Sequence, residues 1–344
     1  MIRIDPICAL VAVLLFASPA VAAKGQPVRR ASLARFHDPV IVSTAKLEML
    51  ADQHTAHLRL YAARAGRLEA ISFQFDAFDP QHDLVVSRGQ APRSFEFDED
   101  DELVFMAKDA GDELPSDAFP AGKDSVLEIQ VDDLINGNKA WVYLLHFSET
   151  PPPASKVVYM NYDTETDIAR GKFYVIEYYP GRDFFTGMRF TKAAGGTGEN
   201  ILHRMKVRLN PTFKGGWSPV FKEEDFRAIV EGTKNGPVRS IRRVRQELNL
   251  GRMLSSPGGT VYTYYYFSSF VTPSTFSIPW LLMKTARSFR FTGVSDFNRS
   301  VIGMTYWDSE NPRGLTLTVA KGQAGLPLRG SASLGAGAIA VRPM

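Results

Sequence analysis

Cysteine is nearly absent from this chain. Cys8 is the only one in 344 residues, so no intramolecular disulfide can form and a bridge-stapled scaffold or a paired-thiol redox centre is excluded. Whatever holds the fold together is ordinary packing. Long apolar runs are also scarce: beyond the first two dozen residues none approaches the 18 or more that a membrane helix needs. Charge of one sign is missing too. The formal net charge of +3 is small and scattered, which argues against a nucleic-acid partner. No Gly-x-Ser-x-Gly elbow, phosphate loop or dinucleotide fingerprint occurs. The glycine-rich piece Ala193-Ala194-Gly195-Gly196-Thr197-Gly198 lacks the following lysine and the strand-to-helix setting, and reads as a loop.

What is present begins at the N-terminus. Arg3 precedes an apolar run from Ile7 to Ala17, and Ser18-Pro19-Ala20-Val21-Ala22-Ala23 follows. A basic start, a short apolar stretch and small residues at a cleavage point are the layout of a secretory signal peptide. The expectation is export to a periplasm or the cell exterior, with residues 1–23 removed. Cys8 leaves with the leader, and because it follows Asp5-Pro6-Ile7 no lipid anchor is expected on it. About 321 residues remain, enough for one large domain or two modest ones. A hydrophobic content of 44% against 22% charged residues fits a packed globular chain rather than a disordered one.

The periodicity is that of strands. Residues 57–61 and 68–75 flank an Ala-Arg-Ala-Gly turn, a hairpin signature. Residues 94–97, 103–106, 126–129, 141–147, 172–179, 205–209 and 238–250 read as further strands. Val261 to Val271 places Tyr262, Tyr264 and Tyr266 on one face and Tyr265 and Phe267 on the other, a strand suited to the inside of a layered sheet. Helical spacing is seen only at 222–231, through Asp225, Phe226, Ile229 and Val230, and after Pro279, where a strand fits equally well. Without alternating βαβ units, the expected fold is all-β and predominantly antiparallel, a large sandwich or supersandwich with a few short helices. Pro151-Pro152-Pro153 is the one evident break, a stiff connector unable to donate to a ladder. It divides a lobe over 24–150 from one over 151–322, either as two sandwiches or as a crossover in one. Residues 323–344, rich in glycine and alanine, read as a loosely ordered tail.

Candidate chemistry is concentrated in a few places. His54 and His57, with Asp52 nearby, have spacing for one helical face, but the run leads into a strand, where capping roles suit them better than metal. The Asp98–Glu102 turn offers hard oxygens to calcium but lacks the spacing of an EF-hand loop. A solvated hairpin turn explains it without an ion, and no cofactor is expected. Arg239, Arg242, Arg243 and Arg245 form the densest basic patch. On a strand, Arg243 and Arg245 share a face with Glu247, opposite Val244, Gln246 and Leu248. Guanidinium forks suit carboxylates and sulfates, so Arg239, Arg243 and Arg245, with Tyr264 and Tyr266, are candidates to line a groove for an acidic sugar. An outer face paired to acids of neighbouring strands accounts for the same arginines without a ligand. Glu177 and Glu231 are the carboxylates that stand in aromatic company, and Glu177 joins the candidate set. Whether any two carboxylates suit glycosidic cleavage depends on their separation in space.

The stretch Glu231-Gly232-Thr233-Lys234-Asn235-Gly236-Pro237-Val238-Arg239-Ser240-Ile241-Arg242 resembles a segment of galactose-mutarotase-like β-supersandwiches. In those proteins a Gly-Pro-hydrophobic-Arg stretch, here Gly236-Pro237-Val238-Arg239, opens a strand in the middle of a large antiparallel sandwich. The resemblance spans a dozen residues and brings no histidine–glutamate catalytic pattern with it. It implies a sandwich associated with carbohydrate, and fold analogy alone gives no reaction. The leading expectation is an exported, carbohydrate-associated binding protein of the cell envelope with a preference for acidic glycans. A polysaccharide-cleaving or sugar-modifying enzyme is the alternative. A third reading is an envelope assembly protein that binds a protein partner and no small ligand.

Overall fold

Alternation of apolar and polar residues along short strands dictates sheets with one face buried, and antiparallel hairpins are the cheapest way to pair them. The computed structural model describes residues 11–15, 29–50, 53–86, 99–114, 119–249, 255–256, 259–273, 284–307, 313–318, 326–329 and 340–342. Strand makes up about 51% of the described residues. Among the described residues helix is confined to short turns, such as Thr55–His57, Glu223–Asp225 and Arg299–Val301. The fold is all-β and sandwich-like, as its periodicity predicts. No helix among the described residues is long and apolar enough to cross a membrane.

The chain divides into two units. One, here the N-terminal unit, comprises Cys8–Met160 together with Lys234–Arg239. The other, the C-terminal unit, holds Asn161–Thr233 and Ser240–Met344. The N-terminal unit is built from two antiparallel sheets. One runs Val11–Leu15, Ser125–Asp133, Lys139–His146, Leu58–Arg64, Arg67–Ala70; the other runs Pro39–Ser43, Glu102–Met106, Phe73–Asp76. Val40, Val42, Leu58, Leu60, Leu103, Phe105, Ile129 and Leu144 interlock in an aliphatic core drawn from both sheets. Lys139–His146 is buried on both faces. Val142 and Leu144 enter that core, whereas Trp141, Tyr143 and Leu145 pack on the opposite side with Phe119 and Leu114. The 68–75 run is not one strand. Arg67–Ala70 and Phe73–Asp76 lie in different sheets, and the chain turns the corner at Ile71 and Ser72, both buried.

Within the C-terminal unit, one antiparallel sheet runs Phe185–Phe190, Tyr174–Tyr178, Ile168–Gly171, Met160–Asp163. A second runs Phe226–Asn235, Ser240–Asn249, Thr260–Tyr265, Phe270–Val271. Their side chains meet in an aromatic core: Tyr162 stacks on Tyr265 at 5.8 Å, Phe185 stands edge-on to Phe270 at 5.6 Å and Phe184 to Phe226 at 5.9 Å. A third sheet carries the two longest strands, Leu202–Phe213 and Ala286–Phe297, flanked by Phe221–Lys222 and Leu326–Arg329.

Two further expectations are corrected. The 222–231 segment is not a helix: a single turn at Glu223–Asp225 leads into the strand Phe226–Asn235. Phe226 and Ala228 are buried while Arg227 between them is exposed, and the ladder to Ser240–Asn249 satisfies its backbone, so pairing overrides local helical spacing. Val261–Val271 is likewise two strands. Thr260–Tyr265 ends in a turn closed by Tyr266 N–H to the Ser269 carbonyl at 2.8 Å, and Phe270–Val271 returns beside it. Burial alternates strictly along Thr260–Tyr265, so only one of its faces is core. Strand expectations at 94–97, the element after Pro279, most of the leader and most of the 323–344 tail lie outside the described residues. Of the leader, Val11–Leu15 pairs with Ser125–Asp133.

Candidate functional site

Arginine cannot enter a core without partners, because an unpaired buried charge costs several kcal/mol. The basic patch is sorted by that rule and by strand alternation. Along Ser240–Asn249, Arg242, Val244 and Gln246 point inward, whereas Arg243, Arg245 and Glu247 point outward.

The outward side chains make a composite face. Arg243 is registered opposite Tyr262 and Arg245 opposite Thr260. The Arg243 guanidinium lies 5.5 Å from the centre of the Tyr262 ring, and Tyr262 stacks against Tyr264 at 6.2 Å. Arg243 Nε reaches Glu231 at 3.1 Å. Arg245 reaches Glu231 at 3.2 Å through Nε and Glu247 at 3.0 Å through Nη1. The result is two stacked phenol rings beside two guanidinium forks that two carboxylates hold in place. Tyr262 and Tyr264 are half-buried and Arg245 is 49% exposed at its side chain. Such a platform can stack on an apolar ring face and hydrogen-bond its rim.

Three of the sequence candidates, Arg243, Arg245 and Tyr264, therefore stand together. The structure does not bring the other three to them. Arg239 belongs to the N-terminal unit and is 1% exposed. Tyr266 is buried in the turn, where its carbonyl accepts from the Tyr174 hydroxyl at 2.8 Å. Glu177 lies on the other sheet, paired with Arg189 at 3.0 Å. Tyr262 and Glu231 are the members that a groove of arginines with Tyr264 and Tyr266 leaves out. Strand parity relates Tyr262 to Tyr264, but its pairing with Arg243 depends on the register between Ser240–Asn249 and Thr260–Tyr265, which neither strand's own pattern fixes.

The inward arginines form two buried clusters. In the C-terminal unit Arg242, 1% exposed, spans Asp167 with two hydrogen bonds of 2.8 Å, meets Asp183 through Nη1 and lies 3.8 Å over the Tyr178 ring. Tyr162 donates to Asp167, Tyr178 and Tyr265 share a hydroxyl hydrogen bond, and Gln246 donates to Asp183 at 2.9 Å. Burial pushes the hydroxyls of Tyr162, Tyr178 and Tyr265 well above the ordinary phenol pKa, so they stay neutral. Burial also outweighs Arg242 at Asp183 and lifts that carboxyl above its ordinary 3.8. In the N-terminal unit Asp76, wholly buried, sits between Lys234 at 2.9 Å and Arg239 at 2.7 Å. Burial opposes its charge, yet Arg239 and Lys234 prevail and hold its pKa below 3.8. Gln74 completes the cluster: its Nε2 donates to Asp76, and its Oε1 accepts from the backbone N–H of Val238 and Arg239 at 3.0 and 2.9 Å. These are closed networks whose groups are spent on one another.

Among the described residues no group of three or more His, Cys, Asp or Glu is placed to hold a metal. His54 Nδ1 accepts from Ala56 N–H, and His57 Nδ1 bonds the Phe147 carbonyl at 2.8 Å. Of the acidic turn, Asp98 lies outside the described residues, Asp101 accepts from Phe78 N–H at 2.9 Å and Glu102 pairs with Arg239.

Fold and face together define an all-β sandwich protein with a tyrosine–arginine sheet surface. No family model matches the chain, and no curated protein does. Among solved structures it is similar to an alpha-mannosidase from Enterococcus faecalis V583, with 12% identity and a TM-score of 0.39, over 80% of this chain and 31% of that one. At that score and identity the likeness fixes neither fold nor function.

Proposed function

We propose that the protein is an exported, carbohydrate-associated binding protein of the cell envelope that docks a glycan on the Tyr262–Tyr264 face and prefers acidic glycans. The observation that carries this reading is the ring pair flanked by Arg243 and Arg245 on an outward sheet face. Sugar rings present C–H faces that stack on phenols, and guanidinium forks bind carboxylates bidentately. Arg245 already serves Glu231 and Glu247 through Nε and Nη1; its second Nη is the donor assigned to an incoming sugar carboxylate. Export is supported by the leader-like layout of residues 1–23.

Calorimetric titration with polygalacturonate and with a neutral galactan tests the reading. Tyr264→Ala is expected to lower affinity for both, by about tenfold for a lost stacking contact worth roughly 1.5 kcal/mol. Arg243→Ala combined with Arg245→Ala is expected to weaken only the acidic polymer. Binding of neither polymer by the wild-type protein sinks the proposal. Fractionation of cells making the full chain tests export: a shortened product outside the cytoplasm supports it, and a full-length cytoplasmic product overturns it.

A further inference from the structure

Leu202–Phe213 and Ala286–Phe297 pair along their whole length, from Leu202 opposite Phe297 to Phe213 opposite Ala286. Their flanking strands stop short: Phe221–Lys222 reaches only Arg208 and Leu209, and Leu326–Arg329 only Val294 to Phe297. Beyond these partners the two long strands continue, among the described residues, as a two-stranded ribbon. Its end is well built. Phe213 N–H donates to the Trp217 carbonyl at 2.9 Å, Gly216 N–H to the Phe213 carbonyl at 3.1 Å, and Lys214 N–H to the Thr285 carbonyl at 2.8 Å. Gly215 and Gly216 take φ of 108° and 87°, which residues with a Cβ rarely adopt.

This turn holds an aromatic side chain in water. Trp217 is 66% exposed, stacked on Phe213 at 5.0 Å, and Val220 beside it in sequence is 49% exposed. The two stretches that build this end carry charge of one sign. Residues 212–220 and 284–290 include Lys214, Lys284, Arg287 and Arg290, all exposed, and no aspartate or glutamate. In a chain whose net charge is only +3, Lys214, Arg287 and Arg290 together on one ribbon end are a local excess of positive charge.

The geometry points to this ribbon end as a docking surface for an anionic phospholipid bilayer, with Trp217 in the headgroup layer and Lys214, Arg287 and Arg290 facing lipid phosphates. An indole is the side chain that gains most at such an interface, being apolar in body and polar at Nε1. A polyanionic glycan would engage the same cations but gain nothing from Val220, whereas a bilayer takes both. Peripheral binding of this kind combines modest apolar burial with charge attraction, and each basic residue near an anionic surface adds about 1 kcal/mol. The surface is separate from the Tyr262–Tyr264 face in sequence and strand, and the inference stands without the glycan reading.

Sedimentation of the full chain with vesicles of equal parts phosphatidylglycerol and phosphatidylcholine, and with phosphatidylcholine alone, is the test. The expected result is binding to the first at low salt and little to the second. Lys214→Ala with Arg287→Ala is expected to lower partitioning about 30-fold, two residues at about 1 kcal/mol each, and Trp217→Ala to lower it further at constant charge. Brominated lipid should quench wild-type tryptophan emission and fail to quench the component lost in Trp217→Phe. Tyr264→Ala should leave vesicle binding intact, which separates this surface from the glycan face. Failure to bind phosphatidylglycerol vesicles overturns the inference, and so does Trp217→Ala binding as tightly as wild type. Equal affinity of wild type and Trp217→Ala for soluble heparin, without vesicle binding, would show a polyanion site in its place.

Discussion

Arg239 and Arg242 are three residues apart, equally buried, and held in opposite ways. Arg239 shares Asp76 with Lys234 and reaches Glu102, so two cations face two carboxylates. Arg242 stands alone between Asp167 and Asp183, one cation for two carboxylates, with the Tyr178 ring against its face. The difference appears in the acids: Asp76 is held below its ordinary pKa, and Asp183 is lifted above it. When its arginine is lost, the balanced cluster still offers its buried carboxylate a cation, Lys234 for Asp76, whereas the cluster centred on one cation offers none.

The largest effect should therefore follow Arg242. Arg242→Met leaves Asp167 and Asp183 facing each other in an aromatic core, and is expected to cost about 3–5 kcal/mol of stability. Arg239→Met leaves Asp76 with Lys234 at 2.9 Å and lets Glu102, partly exposed, turn to water. Its expected cost is smaller, about 2 kcal/mol, the scale of one charged hydrogen bond. Urea unfolding of both variants checks the order. Equal costs would show that Lys234 does not compensate Asp76.

A second way to break the comparison uses the backbone of the N-terminal cluster. A Cβ on Gly236 would stand 2.0 Å from Gln74 Oε1, the atom that accepts from Val238 and Arg239. Gly236→Ala must expel the Gln74 carboxamide and is expected to destabilise by about 1–3 kcal/mol, as overpacking does. Combined with Gln74→Ala, it should cost clearly less than the sum of the two single changes, since removing Gln74 makes the room. Additive costs in the same urea assay would show that the close approach is not what requires glycine.

Much of the fold was legible because strand alternation is local. The 141–147 run is apolar on both faces, and the strand it forms, Lys139–His146, is buried on both. The sorting of Arg243 and Arg245 outward against Val244 and Gln246 is also pure parity. What sequence reading missed was non-local. Gly236-Pro237-Val238-Arg239 looks like a strand opening, and Ser240 does open one, but Arg239 answers to Asp76, a residue 163 positions away. Nothing near Arg242 in sequence announces Asp167 or Asp183. Tyr266 followed the tyrosine alternation of Tyr262 and Tyr264 until a turn took it inward, and the 222–231 spacing fits a helix until a neighbouring strand supplies a ladder.

The smallest effect belongs to the arginine that the same strand turns outward. Arg245 also contacts two carboxylates, Glu231 at 3.2 Å and Glu247 at 3.0 Å, so by contact inventory it resembles Arg242. Its side chain is 49% exposed, and water replaces either partner at little cost. Arg245→Ala is accordingly expected to change stability by no more than about 0.5 kcal/mol, the ordinary yield of a surface ion pair. High salt should reduce that difference further, because screening acts on exposed pairs first. A cost in urea unfolding near that of Arg242→Met would mean that contact number, not burial, sets the worth of an arginine in this sheet.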